Sequence, residues 1–245
     1  MQLLQYWLRA AAPRVMTKPM RIFNLPRFST RQHIWGAIVG LTIFVVLTAQ
    51  LTEAYAATER REQLVPILGV KIGLKPTGTV AYLVVSFEER HDQSGLIVYF
   101  KDKPGRFSRL AQTSVDQAIR RTARYLDLST DSWTIELSVP YAGVTLYGES
   151  LSAMIALAVA ALAQGEFISP DRAITGTITP DGRIGPVGSV PLKIVAAGDA
   201  HLRRVLVPEE RDPADGDYPL PFLMQITPVD SVRQAYTALT ARVHN

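Results

Sequence analysis

The sequence predicts one mixed domain of strands and helices preceded by a single membrane-spanning helix. Three observations carry this expectation. Residues 33 to 51, "HIWGAIVGLTIFVVLTAQL", form an uncharged apolar run of membrane-spanning length, with His33 at its edge. Between residues 68 and 140, stretches rich in β-branched and aromatic residues surround one stretch with helical periodicity. Residues 151 to 163, "LSAMIALAVAALA", are apolar on nearly every helical face. That last segment falls short of the roughly 20 residues a bilayer requires, so it reads as a helix buried in a core.

The N-terminal part is defined by charge. The chain has 245 residues and a net charge of +4, and residues 1 to 52 hold Arg9, Arg14, Lys18, Arg21, Arg27 and Arg31 with no acid. The remainder therefore carries −2, which removes the support for a nucleic-acid partner. The basic residues precede the apolar run, so the positive-inside rule keeps the N-terminus cytoplasmic and places the chain after Thr52 outside. "EAYAA" offers an A-x-A cleavage pattern at Ala54 and Ala56, but the apolar run is longer than the roughly 7 to 15 residues of a signal peptide. A retained signal anchor is the expectation, with secretion the outcome of cleavage after Ala56. The divisions read as a basic cytoplasmic segment over 1–32, a transmembrane anchor over 33–52, a linker over 53–67 and a folded domain over 68–245.

The domain's elements come in order along the chain. "LGVKIGLKPTGTVAYLVVSFEE" and "GLIVYFKDK" read as strands joined by the loop "RHDQSG". "RLAQTSVDQAIRRTARYLDL" sets Leu110, Val115, Ala118, Ile119, Ala123 and Leu126 near helical spacing, with arginines on the solvated face. "SWTIELSVP" is a further strand, leading to the loop before the apolar helix. Beyond that helix, "ITGTIT" and "RIGPVG" flank Pro180, Asp181 and Gly182 as a hairpin. Gly182, Gly185 and Gly188 do not match a dinucleotide or phosphate loop. Ser189 as N-cap and Pro191 in the first turn start the next helix.

Chemistry is restricted by what is missing. Cysteine is absent, which excludes disulfides, thiolate metal sites and cysteine nucleophiles. His33, His91, His201 and His244 are scattered without a metal-pair or triad spacing. Two residues then stand out. Ser150, at the mouth of the apolar helix, reads on its own as a helix cap with Glu149 complementing the dipole; given a base, it also fits a nucleophile beside helix-start N–H groups that hold an oxyanion. Lys193 lies among Val190, Leu192, Ile194 and Val195 near a helix start, where burial and the dipole disfavour its charged form and suit it to general-base work. The alternative is a lysine that lays its stem over the core and keeps its ammonium in water.

Taken together, these segments resemble the proteolytic domain of Lon proteases over about residues 68 to 245. "GES-x-S" is similar to the Gly-Asp-Ser-Ala-Ser nucleophile motif of the membrane-anchored archaeal-type branch, and "ITGTITPDGRIGPVGSVPLKIVAA" resembles the stretch that ends in the family's catalytic lysine. "VLVPEE" and "ITPVDSVRQAYTAL" are similar to its closing strand, loop and last helix. The resemblance implies an α+β fold of mixed sheets with packed helices. It implies Ser150 as nucleophile, Lys193 as base, Thr175 as the hydroxyl that aims the lysine amine, and Glu149 in the place of the motif's aspartate. The sequence departs from the family at Tyr147, where an acid is common, and at Glu136 and Ser138, where many bacterial members have histidines.

The implied activity is that of an ATP-independent serine endopeptidase, because these residues include no Walker loop. It would use no metal or cofactor and would act on unfolded or flexible polypeptides outside the cytoplasm, with the membrane as partner through residues 33–52. Self-association into a homo-oligomer is left open. The alternative is a Lon-like module without turnover that binds peptides or scaffolds at the membrane.

Overall fold

In a computed structural model, residues 60–217 and 221–241 are described, and all of them belong to one compact unit spanning Thr58–Asn245. The predicted anchor over 33–52 lies outside the described residues. Among those residues no helix is long and apolar enough to cross a membrane.

The folded unit begins earlier than the sequence suggests. Strand β1 (Arg61–Lys71) pairs antiparallel with β2 (Thr77–Glu89) along its whole length, from Arg61 opposite Phe87 to Lys71 opposite Thr77. Residues 61–67, expected to be linker, are therefore part of the sheet, and two of their polar side chains reach the core helix. Gln63 is buried, donates its Nε2 to the Ala158 carbonyl of that helix at 3.5 Å and accepts from the N–H of Ile168 beyond it at 3.1 Å, while Arg61 Nη1 donates to the carbonyl of Leu162 at 2.7 Å. A charged, hydrophilic run looks like a connector locally; its partners here lie about a hundred residues away.

β2 also pairs antiparallel with β5 (Trp133–Ser138), and β3 (Ile97–Phe100) joins β5 in parallel, giving the order β1-β2-β5-β3. The loop predicted between β2 and β3 exists, but β5 is inserted between the two strands it joins. β5 buries Trp133, Ile135 and Leu137 and turns Thr134, Glu136 and Ser138 to the other face, the alternation of a one-sided strand. Short strands β4 (Arg106–Phe107) and β6 (Thr145–Leu146) pair in parallel.

The first helix, α1 (Arg109–Tyr125), is started by Ser108, whose hydroxyl accepts from the N–H of Ala111. It buries Val115, Ala118, Ile119 and Ala123 as its spacing predicts, whereas Leu110 is exposed. Its arginines are more than a solvated face: Arg121 Nη1 donates to the Ile178 carbonyl at 2.5 Å. α2 (Ser152–Ala163) is the predicted core helix, with every residue from Ser152 to Leu162 buried. It lies against α1, β1, β2 and the final helix α4 (Val232–Thr240).

Strands β7 (Arg172–Ile174), β10 (Arg204–Pro208) and β11 (Gln225–Val229) form a second, parallel sheet in the order β11-β10-β7. Between β7 and β10, β8 (Thr177–Ile178) and β9 (Ile184–Gly185) make the predicted hairpin. Gly182 in its turn has φ 79°, and a Cβ there would strike the Tyr125 ring at 2.6 Å. α3 (Val190–Asp199) packs Val190, Ile194 and Ala197 with Ala173, Val205 and Val207 in a smaller core beside the main one. The architecture is α+β with mixed sheets and packed helices.

Candidate active site

The turn before α2 positions Ser150. Gly148 has φ 85°, a left-handed conformation suited to glycine, and the chain then closes a turn in which the Glu149 carbonyl accepts from the N–H of Ser152 at 2.9 Å. The helix starts only at Ser152, its cap position is Leu151, and no side chain caps it. The capping role open to Ser150 is thus not used. Glu149 exposes its side chain, while Ser152 is buried in the first turn of α2.

Two adjacent residues after β7 connect this turn to the lysine. Gly176 donates its N–H to the Ser150 carbonyl at 3.0 Å and accepts from the N–H of Ala153 at 3.3 Å, so it clasps the Ser150 turn on both sides. Thr175, fully buried, carries the hydroxyl to which Lys193 Nζ donates at 3.2 Å. With the N–H groups of Ser152 and Ala153 occupied, those of Ser150 and Leu151 donate to no acceptor among the described residues.

Lys193 is 4% exposed. Burial pushes its amine down from the ordinary value of 10.5 to about 8, against the opposing negative charge of Asp215. The sequence shows no acid close to Lys193, but the fold supplies this one from the loop after β10. Asp215 also does the capping predicted for Ser189. Ser189 adopts a left-handed conformation (φ 60°, ψ 30°) and its side chain caps nothing, while Asp215 accepts from the N–H groups of Ser189 at 2.7 Å and Val190 at 2.9 Å. Pro191 occupies the first turn as expected. Sequence reading misses Asp215 because nothing local separates it from Asp212 or Asp217 in "RDPADGD".

Ser150 and Lys193 both line one open cleft of about 1200 Å³. Its walls come from the end of β1, from β2 at Thr79–Tyr82, from Val144–Gly148 and from Gly188 and Ser189. Tyr147 is well exposed in this cleft. Glu136 and Ser138 are not among its lining residues. Lys101 at 2.6 Å and Arg60 at 2.8 Å hold the Glu136 carboxylate on the sheet face, and the Lys101 hydrogen bond leads in keeping its pKa below the usual range. Among the described residues, no three His, Asp or Glu side chains gather as a metal site.

The sequence profile of the Lon protease (S16) C-terminal proteolytic domain matches residues 106–240, more than half of the chain. The chain belongs to the Lon proteolytic-domain family. Among relatives, it is 26% identical to the Lon protease of Methanosarcina barkeri over 181 residues, which is 72% of this chain and 22% of that protein. It is 27% identical to the Lon protease of Mycolicibacterium smegmatis over 183 residues, 72% of this chain and 23% of the relative. With the Lon protease of Salinispora arenicola it shares 33% identity over 104 residues, 41% of this chain and 13% of the relative. The chain thus spans less than a quarter of the length of these Lon proteases. The matched Lon region contains the Ser150 turn, Thr175 and Lys193 on α3.

Proposed function

We propose that this protein is a serine endopeptidase in which Ser150 is the nucleophile and Lys193 the general base. One observation carries the reading. Ser150 and a buried lysine amine with a pKa of about 8, held by Thr175, face the same cleft. A neutral amine at that position can accept the Ser150 proton as Oγ attacks a peptide carbonyl. The resulting oxyanion meets the N–H groups of Ser150 and Leu151 in the turn just before the helix, and Lys193 returns the proton to the leaving amine. Water, deprotonated in turn by Lys193, then hydrolyses the acyl-enzyme.

The cleft suits an extended polypeptide. β1 is an edge strand, and its residues 67–71 form one wall, so their outer backbone groups can pair with a bound chain. Unfolded or flexible polypeptides fit this wall best. The basic residues before the apolar run favour an anchored protein whose peptidase domain lies outside the cytoplasm. A reporter fused after Asn245 should be active only outside, and cytoplasmic activity would reverse that orientation.

The test of catalysis is casein digestion by the full chain in detergent, wild type beside Ser150→Ala and Ser152→Ala. Ser150→Ala should abolish cleavage with the fold intact, and Ser152→Ala should retain most of it. The reverse result would move the nucleophile. A folded wild type that neither cleaves casein nor reacts at Ser150 with a serine-directed probe would favour a peptide-binding module.

A further inference from the structure

The Lys193 amine is set by more than the threonine that touches it. Lys193 donates its backbone N–H to the Ser189 carbonyl at 3.2 Å, so the lysine's turn is built on Ser189. Ser189 in turn is held by Asp215, whose two carboxylate oxygens each take one N–H, from Ser189 and from Val190. A left-handed serine does not cap its own helix here, and the carboxylate supplies what its hydroxyl does not. The loop that brings Asp215 is itself braced: Asp215 N donates to the Asp212 carbonyl at 3.0 Å, and Asp212 Oδ1 accepts from Ala214 N at 2.9 Å.

Charge around the cleft makes this carboxylate distinctive. The titratable residues lining the cleft with Lys193 are Lys71 at the end of β1, Tyr82 on β2, and Tyr141 and Tyr147 before the Ser150 turn. The lining also contains Ser150, and the Thr175 hydroxyl accepts from the amine. No carboxylate is among these described lining residues. Asp212 lies against Gly188, 3.2 Å from where a Cβ would stand, and is engaged within its own loop. The negative charge that reaches the buried amine comes from Asp215, behind the wall formed by Gly188 and Ser189.

We propose that Asp215 is the positioning residue for Lys193: it fixes the first turn of α3, and with it the amine, while giving that amine a countercharge outside the cleft. The proposal rests on Lys193 acting as the base. Its consequence is a working pH set by a residue that is not among the described residues lining the cleft. Without the countercharge, burial alone acts on the amine, which then loses its proton at lower pH.

The experiment compares the pH profile of kcat/KM for the wild-type chain, Asp215→Asn and Asp215→Glu on a fluorogenic peptide. In Asp215→Asn the rising limb should move to lower pH by on the order of one unit, and the plateau should fall as the turn loosens. Asp215→Glu, which keeps the charge, should return the limb toward the wild-type position. An Asp215→Asn limb at the wild-type pH overturns the proposal, because a role confined to holding the helix would lower the plateau alone. If asparagine prevents folding, Asp215→Ser, a neutral helix-capping residue, carries the same expectation. A second readout does not depend on turnover: in the Ser150→Ala background, the Lys193 side-chain NMR signal, assigned by its loss in Lys193→Met, should titrate lower when Asp215 is replaced. A wild type without peptidase activity would sink the proposed function, while the NMR titration would still decide the role of Asp215.

Discussion

Replacing Lys193 with methionine should make the protein more stable at neutral pH and less stable at high pH. The wild-type amine falls from 10.5 to about 8 on folding, chiefly because it is buried. At about 1.36 kcal/mol per pKa unit, that difference is an upper bound of roughly 3 kcal/mol. Between these two values the unfolded chain holds the proton more tightly than the folded one, so wild-type stability rises with pH across the window. Below about 8 both states are protonated and the cost of the buried charge is fully present. Methionine removes that cost but leaves the buried Thr175 hydroxyl without its partner, a loss of about 1–2 kcal/mol. The net expectation at pH 6.5 is a gain of about 1–2 kcal/mol, shrinking and then changing sign toward pH 10. Urea unfolding of wild type and Lys193→Met at a series of pH values measures this directly, because titrations common to both proteins cancel in the difference. A difference that stays flat from pH 6.5 to 10 would refute the depressed amine and the base role built on it. Lys193→Arg completes the case: guanidinium keeps its proton, so this variant should be as inactive as methionine.

The other expectations concern residues that hold the amine and its helix. Thr175→Val removes the hydroxyl bonded to Lys193 Nζ, so kcat should fall roughly tenfold, about 1.4 kcal/mol, with KM little changed. An equal rise in KM would instead mean that Thr175 serves substrate binding. Gly78→Ala tests the seat of α3 on β2, since a Cβ at Gly78 would stand 1.9 Å from the Leu192 carbonyl oxygen and 2.9 Å from Ala196 Cβ. Moving the helix should cost roughly 1–3 kcal/mol in urea unfolding and lower kcat through the displaced neighbour, Lys193. Wild-type stability and kcat would show that the contact is slack.

Some of the protein is decided by local pattern. The all-round apolar character of residues 152–162 dictates a buried helix, because no face of it can meet water at low cost. The alternation in β5, the stripe on α1 and the turn at Gly182 are similarly local, each arising from a periodicity or a backbone conformation of a few residues. Lys193 is legible as an amine under desolvation because its aliphatic neighbours are adjacent in the chain. What those residues meet is another matter. Arg61 and Gln63 look like a hydrophilic connector until Leu162 and Ile168 arrive beside them, and β5 enters between β2 and β3 from more than thirty residues beyond β3. Ser150 looks able to cap α2, yet the clasp of Gly176 closes its turn and the helix begins two residues later. Ser189 stands where an N-cap belongs, and its left-handed backbone gives the task to Asp215, twenty-six residues on. Hydrogen bonds and charge act through space, so a partner distant in sequence leaves no periodicity to read; only the folded chain determined which carboxylate, threonine and glycine would surround the serine and the lysine.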